Sequence, residues 1–286
     1  MSDQDMAVEI TTYEADNSLK KGYISTLAEI FVQLKENRWL VYQLFRREFL
    51  AVQSQSLVGV LWVFLMPLIS VGVFILLNRS GIFNIGDIDV PYPIYALLGM
   101  AFWQFFAVGL RESSNSLVRA STMIIRINFP KKVLVFAAIG KSLISFLFQF
   151  VIVLLLFIGY RIAPSSSILL LPVFVIPMLL LTVGLGFIAS LLNSIMRDVG
   201  NLLSILIMFL MFCTPVLYST PTVGRFAELT MYNPLFYLVS VPRELILTGS
   251  SSLGANYLAS SVLSFVVFLT CLVAFHVTET RIAERI

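Results

Sequence analysis

The chain has 286 residues, 58% of them hydrophobic and 12% charged, with a formal net charge of +3 and a mean hydropathy of +0.93. The charged share is about half that of an ordinary soluble domain, so a fold in water would leave apolar surface with nothing to cover it. Soluble enzymes, nucleic-acid binders and disordered chains are excluded together, and an integral membrane protein remains.

In chain order, residues 1–22 read as an acidic, disordered, solvated tail. Asp3, Asp5, Glu9, Glu14 and Asp16 precede the first basic residue, Lys20, whereas a secretory signal begins basic and then turns apolar. Residues 23–55 carry the period of an amphipathic helix. Leu27, Ile30, Phe31 and Leu34 fall at i, i+3, i+4 and i+7, continued by Leu40, Val41, Leu44, Phe45 and Phe49. Lys35, Glu36, Gln43, Arg46 and Arg47 lie opposite, the pattern of a helix resting in the membrane interface.

Residues 56–280 form the membrane domain, and 281–286 a short tail. A spanning helix needs roughly 20 mostly apolar residues. Six stretches are predicted to span: 56–77, 94–110, 133–160, 168–192, 202–217 and 258–277. The second and fifth are short, although Tyr92 and Tyr218 can extend them into the interface. The apolar piece 235–241 is too short to cross. It lies in a long loop, 218–257, broken by Pro221, Pro234 and Pro242, so two short helices dipping back into the leaflet are expected there. With the N-terminus inside, fourteen of the nineteen Lys and Arg residues fall on the inner side. That bias predicts that both termini are cytoplasmic.

Few motifs could carry chemistry. Gly140-Lys141-Ser142 resembles the end of a phosphate-binding loop, but position 135 is Val135 rather than glycine, and the stretch is a membrane helix rather than a strand and turn. Cys213 and Cys271 sit inside apolar runs and His276 is the single histidine, so neither a disulfide framework nor a multi-histidine metal centre is expected. Lys141 lies well inside its span. It either snorkels to the interface or faces a translocation route and meets an anionic group. In residues 111–132, the charges of Arg111, Glu112, Arg119 and Arg126 interleave with Leu117, Val118, Ile124 and Ile125. A solvated positive loop explains the charges alone, while a short amphipathic helix that docks a cytosolic partner explains both. Arg197 and Asp198, in the next inner link, either pair with each other or cap the fifth span. The aromatic residues Trp103, Phe105, Phe106, Phe209, Phe212, Tyr232, Phe236 and Tyr237 either face lipid or line a path on which sugar rings could stack.

A series of motifs then resembles one family. Arg46-Arg47 leads through Ser54-Gln55-Ser56-Leu57-Val58-Gly59-Val60-Leu61-Trp62 to Pro67. Gly99 with Trp103-Gln104-Phe105-Phe106 follows, then Ser113-Ser114-Asn115-Ser116-Leu117-Val118-Arg119 and Phe129-Pro130. Leu192-Asn193 with Arg197-Asp198, Thr214-Pro215-Val216-Leu217-Tyr218 and Tyr232-Asn233-Pro234-Leu235 complete the series. In this order, over residues 26–280, the chain resembles the type-2 ABC-exporter permeases, and among them the polysaccharide branch that exports O-antigen, capsule and teichoic acid. Val58 and Ser194-Ile195-Met196 depart from that branch's usual residues, as does the acidic tail.

The resemblance implies an all-α permease of six transmembrane helices, with an N-terminal interface helix and short re-entrant helices between spans five and six. It implies a homodimer in the cytoplasmic (inner) membrane above two separate cytosolic ABC ATPase subunits. This chain would hold no cofactor, ATP and magnesium belonging to the ATPase, and would not itself be an enzyme. Lipid-linked polysaccharide would pass between the two copies. The coupling residues implied are Glu112, Ser113, Arg119, Arg126, Arg197 and Asp198. The path or gate residues are Lys141, Trp62, Trp103, Phe106, Phe209, Phe212, Tyr218, Tyr232, Arg243 and Glu244. The alternative is a permease of the same fold that exports drugs or small lipids. A membrane-bound transferase built on Asp87 and Asp89 lacks convergent partner groups. A secondary transporter would want acids within the spans, and none of the six stretches holds one.

Overall fold

A computed structural model describes residues 23–54, 59–80, 90–127, 129–218 and 225–282, and every described element is helical. The acidic tail, Asp87, Asp89 and Pro221 lie outside the described residues, as does most of the C-terminal tail. In order the helices are α1 (Tyr23–Glu36), α2 (Arg38–Ser54), α3 (Gly59–Arg79), α4 (Tyr92–Arg119), α5 (Ser121–Arg126) and α6 (Lys132–Tyr160). A short 3-10 turn, Ser166–Leu170, leads into α7 (Leu171–Ile195), followed by α8 (Asp198–Cys213), α9 (Arg225–Tyr232), α10 (Pro234–Thr248) and α11 (Gly254–Ile282).

Among the described residues, four helices are long and apolar enough to cross a bilayer: Tyr92–Arg119, Lys132–Tyr160, Ser166–Ile195 and Gly254–Glu279. Two shorter apolar helices, Leu68–Leu77 and Asp198–Cys213, accompany them. The latter is about 24 Å long at 1.5 Å per residue, less than the roughly 30 Å of a hydrocarbon core.

At the centre is α4, with 78% of its span buried against 22% for α11. It packs against α6 and α7. Small residues allow the close approach to α7. Gly109 and Ser113 on α4 meet Thr182 and Gly186 on α7, each pair four residues apart, and a Cβ on Gly186 would lie 2.7 Å from that of Ser113. With lipid outside rather than water, such small-residue seams and van der Waals contact hold helices together. The outer faces of α6 (Leu147, Val151, Leu155, Ile158) and α11 (Leu258, Val262, Phe265, Val266) are exposed, an apolar surface suited to lipid.

Several sequence expectations change. The second span is not short: its helix runs on to Arg119, because Ser113, Ser114, Ser116 and Leu117 are buried against the rest of the bundle. The expected amphipathic helix of the 111–132 segment shrinks to α5. Acids do occur within the spanning helices, Glu112 on α4 and Glu279 on α11. Lys132, counted among loop charges, opens α6 with its side chain fully buried. The pair α1 and α2, expected at the interface, turns part of its apolar stripe toward protein. Ile30 and Leu44 are buried beside Val133 and Phe275, while Phe31, Trp39 and Tyr42 are exposed.

Candidate functional site

Glu112 and Arg119 of the expected coupling set lie toward one end of α4 and Arg243 of the expected gate set packs at the other, whereas Lys141, expected in the path, joins the first group. At the C-terminal end of α4, Glu112 is the centre of an ionic cluster. Its Oε1 accepts from Lys141 Nζ at 2.8 Å, and its Oε2 lies 2.7 Å from an Arg119 guanidinium nitrogen two turns further on. A second Arg119 nitrogen donates to the Glu112 carbonyl at 3.1 Å. Lys141, in the first half of α6, thus meets an anionic group supplied by the protein itself, the Glu112 carboxylate. Gly140-Lys141-Ser142 is continuous helix. Between Arg119 and Arg47 lies a cleft lined by Leu44, Ser116, Leu134 and Ala137, with room for about 20 Å³. That is about the room a water molecule takes.

Beyond Arg119, Thr122, Ile125, Arg126 and Ile127 are exposed, while Ile124 and Phe129 are buried. The segment is therefore held from below and presents a mixed apolar and basic edge. Ser113, expected beside Glu112 in the coupling set, is instead buried in the α4–α7 seam.

The neighbouring link is pinned by a residue that the sequence offered only as part of a motif. Asn193 Oδ1 accepts from the Gly200 backbone N–H at 3.0 Å, and its Nδ2 donates to the Ser114 carbonyl at 3.1 Å and to Asn115 Oδ1 at 3.2 Å. Asn193 therefore ties α4, α7 and the first turn of α8 together. The expected cap, Asp198, sits in that first turn without bonding it, since an αR residue, Arg197, stands at the cap position with no side-chain bond. Arg197 and Asp198 are both exposed and, among the described residues, form no ion pair with each other.

At the other end of α4 the hub is Arg243, on α10 and 1% exposed. Its terminal nitrogens donate to the Val216 carbonyl at 2.8 Å, the Pro215 carbonyl at 3.1 Å and Ser240 Oγ at 3.3 Å. The guanidinium carbon lies 3.8 Å from the centre of the Tyr95 ring, a stacked cation–π contact. Tyr92 and Tyr95 donate from their hydroxyls to the Leu217 and Tyr218 carbonyls at 2.9 and 3.2 Å. Asn233 Nδ2 donates to Thr214 Oγ1 at 2.8 Å. The chain leaving α8 is thus held by four side chains from α4 and from the α9–α10 region. Burial pushes the Tyr218 phenol above its ordinary value. The sequence could not reveal that Arg243 grips backbone, since its neighbour Glu244 accepts instead from Ser251 Oγ at 2.6 Å.

Gly99 lets this hub form. A Cβ there would sit 2.6 Å from the Val216 carbonyl oxygen and 2.7 Å from an Arg243 nitrogen. Gly99→Ala is therefore expected to lower stability by about 1–3 kcal/mol through overpacking, read as a drop in unfolding temperature in detergent. Wild-type stability would show that the hub can shift at no cost.

The aromatic residues divide clearly. Trp103 and Phe106 are buried in the core at 2% and 1% exposure, their rings 5.7 Å apart. Phe209 and Phe212 lie on an exposed face of α8, and Tyr232 is 88% exposed. Trp62 falls on α3, its side chain outside the described residues.

This arrangement meets a family assignment. Residues 40–247 match the description of the ABC-2 type transporter, and that interval contains both ends of the α4 site. The chain belongs to the ABC-2 type transporter family. Its relatives include an O-antigen export system permease protein RfbA of Klebsiella pneumoniae, 27% identical over 237 residues that cover 81% of this chain and 88% of the relative. Another of the same name, from Myxococcus xanthus, is 28% identical over 249 residues, covering 80% and 93%. As an ABC-2 transporter with several apolar helices of spanning length, this is a multi-pass membrane protein with a role in transport.

Proposed function

We propose that this ABC-2 transporter is the permease of an ATP-driven exporter that moves lipid-linked, O-antigen-like polysaccharide across the cytoplasmic membrane, as a homodimer above two separate ATPase subunits. The observation that carries the reading is the match, over four fifths of the chain, to permeases named for O-antigen export. On this reading six helices cross, with α3 and α8 as the first and fifth, and α9 and α10 form the outer re-entrant pair. Both termini are cytoplasmic.

The exposed edge Ile125-Arg126-Ile127, together with the exposed Arg197 and Asp198 of the next link, is the surface offered to the ATPase. ATP can bias the permease only through contacts that differ between its states. The Glu112, Lys141 and Arg119 cluster lies directly above that edge and joins α4 to α6, so a displaced α5 has an ionic connection to both spans. At the outer side, Arg243 and its tyrosines hold the chain after α8, the helix whose exposed Phe209 and Phe212 would face the glycan together with Tyr232.

The test is reconstitution of the purified permease with the ATPase encoded beside it, in vesicles. Lipid-linked glycan should stimulate ATP hydrolysis and appear in the opposite compartment. Stimulation by hydrophobic drugs or short-chain lipids, with none by the glycan, would replace this substrate with the alternative one. The topology has its own check: Tyr232→Cys should react with a membrane-impermeant maleimide in intact cells, and Ile125→Cys only after the inner face is opened. The reverse pattern would invert the orientation.

A further inference from the structure

Four polar side chains converge where α1, the start of α6 and the end of α11 meet. Lys132 Nζ lies 2.7 Å from Gln33 Oε1, 2.8 Å from His276 Nδ1 and 3.1 Å from Glu279 Oε1. Lys132, His276 and Glu279 are 0%, 7% and 6% exposed. Taking an ammonium out of water is costly unless it is paired and fully bonded, and such a cluster is weak evidence of stability. Its value is that it fixes one geometry among three elements remote in sequence.

The proton on His276 decides which of two neighbours the ring serves. His276 Nδ1 is 2.8 Å from a donor, Lys132, and 3.0 Å from an acceptor, Glu279 Oε1. One ring nitrogen serves only one of them at a time: unprotonated it accepts from Lys132, protonated it donates to Glu279. The groups facing it are Lys132 from α6 and Glu279 from its own helix, while Gln33 and the nearby Glu29 of α1 act on Lys132. Lys132 also stands directly after Phe129-Pro130-Lys131, the end of the segment that carries α5. Any displacement of that segment pulls on Lys132, and through Gln33 on the interfacial helices.

We propose that Lys132, His276 and Glu279 are positioning residues of transport, a latch through which movement of the 120–131 segment displaces α1 and α2 relative to the last span. With Lys132 shared among Gln33, His276 and Glu279, α1 is held to the last span; when His276 turns to Glu279, Lys132 keeps one of its two holds on α11 and α1 is held more loosely. This rests on the permease and ATPase reading above.

The experiment uses the complete permease–ATPase complex in vesicles, with Gln33→Leu, which cuts the Lys132 link to α1 together with a long contact to Glu29 inside α1, and His276→Gln, whose amide can serve Lys132 and Glu279 at once. ATP turnover and glycan transported per ATP are both measured. Spin labels at Val32→Cys and Ile125→Cys report whether α1 follows the loop when nucleotide binds. The expected result is near-normal hydrolysis with transport per ATP reduced at least about fivefold, the lower end of an ordinary coupling effect, and a label separation that no longer tracks nucleotide in Gln33→Leu. A purely structural role would lower the yield and thermal stability of the complex while transport per ATP stayed at the wild-type value. That result, or unchanged label distances, overturns the latch. A wild-type chain that recruits no ATPase overturns the underlying reading and the latch with it.

Discussion

Arg243→Ala is expected to lower stability by about 3–5 kcal/mol, the scale on which a buried charged group is lost from its partners, and to abolish export. Truncation orphans the Pro215 and Val216 carbonyls, each costing about 1–3 kcal/mol when buried and unpaired. It also leaves a cavity beneath the Tyr95 ring. Arg243→Lys keeps the charge but has no fork with which to hold two carbonyls, and no plane to lay on the ring, so an intermediate loss is expected. Arg243→Met restores volume without donors and should fall near the alanine variant. Thermal unfolding in detergent, beside export in cells, orders the three. A methionine variant within about 1 kcal/mol of wild type, the scale of an ordinary surface change, would show that the hub is packing alone.

Glu112→Ala is the second large effect, and it has a signature. Removal of the carboxylate leaves Lys141 part-way along a membrane helix without its counter-ion, at 34% side-chain exposure. An uncompensated lysine at the centre of a span costs about 2.5–3.5 kcal/mol; partial exposure reduces this to about 1–2 kcal/mol. Lys141→Met, which removes the charge that needs compensation, should cost less on its own. The double variant should recover part of the Glu112→Ala loss, so the two changes are non-additive. Export should fail in both variants that lack Glu112, because the ionic connection between α4 and α6 is then gone and Arg119 has no carboxylate partner. Additive stabilities would mean that the 2.8 Å contact contributes nothing. Full export with alanine at 112 would remove the cluster from the coupling route.

The spans were legible because runs of apolar residues have one cheap destination, and their order survives in the helices α4, α6, α7 and α11. The extension of α4 through Arg111–Arg119 was hidden. Serine counts as polar in any composition window, yet its small side chain suits a tight helix seam, as Ser113 against Gly186 shows. Arg243 was legible as a candidate but not as a clamp, because its partners are backbone carbonyls that carry no sequence signal. Lys132 and His276 are 144 positions apart. Nothing local to either residue points to the other, and Lys132 beside Lys131 reads as ordinary inner-side charge. Asn193 gave its identity away within a motif while concealing its job, since an asparagine that caps a helix seven residues later leaves no Ser, Thr or Asp at the expected place.

Only Ile207 and Cys213 are buried along α8, while Leu202, Ile205, Leu206, Met208, Phe209 and Phe212 are exposed. Yet both extremities of that helix are anchored, by Asn193 before its first turn and by the Arg243 grip just past its last. A rod pinned at two tips, with one narrow face against its neighbours and the rest open, behaves like a hinge-ended strut. It can sway sideways and exchange one lateral neighbour for another without breaking a single backbone bond of its own.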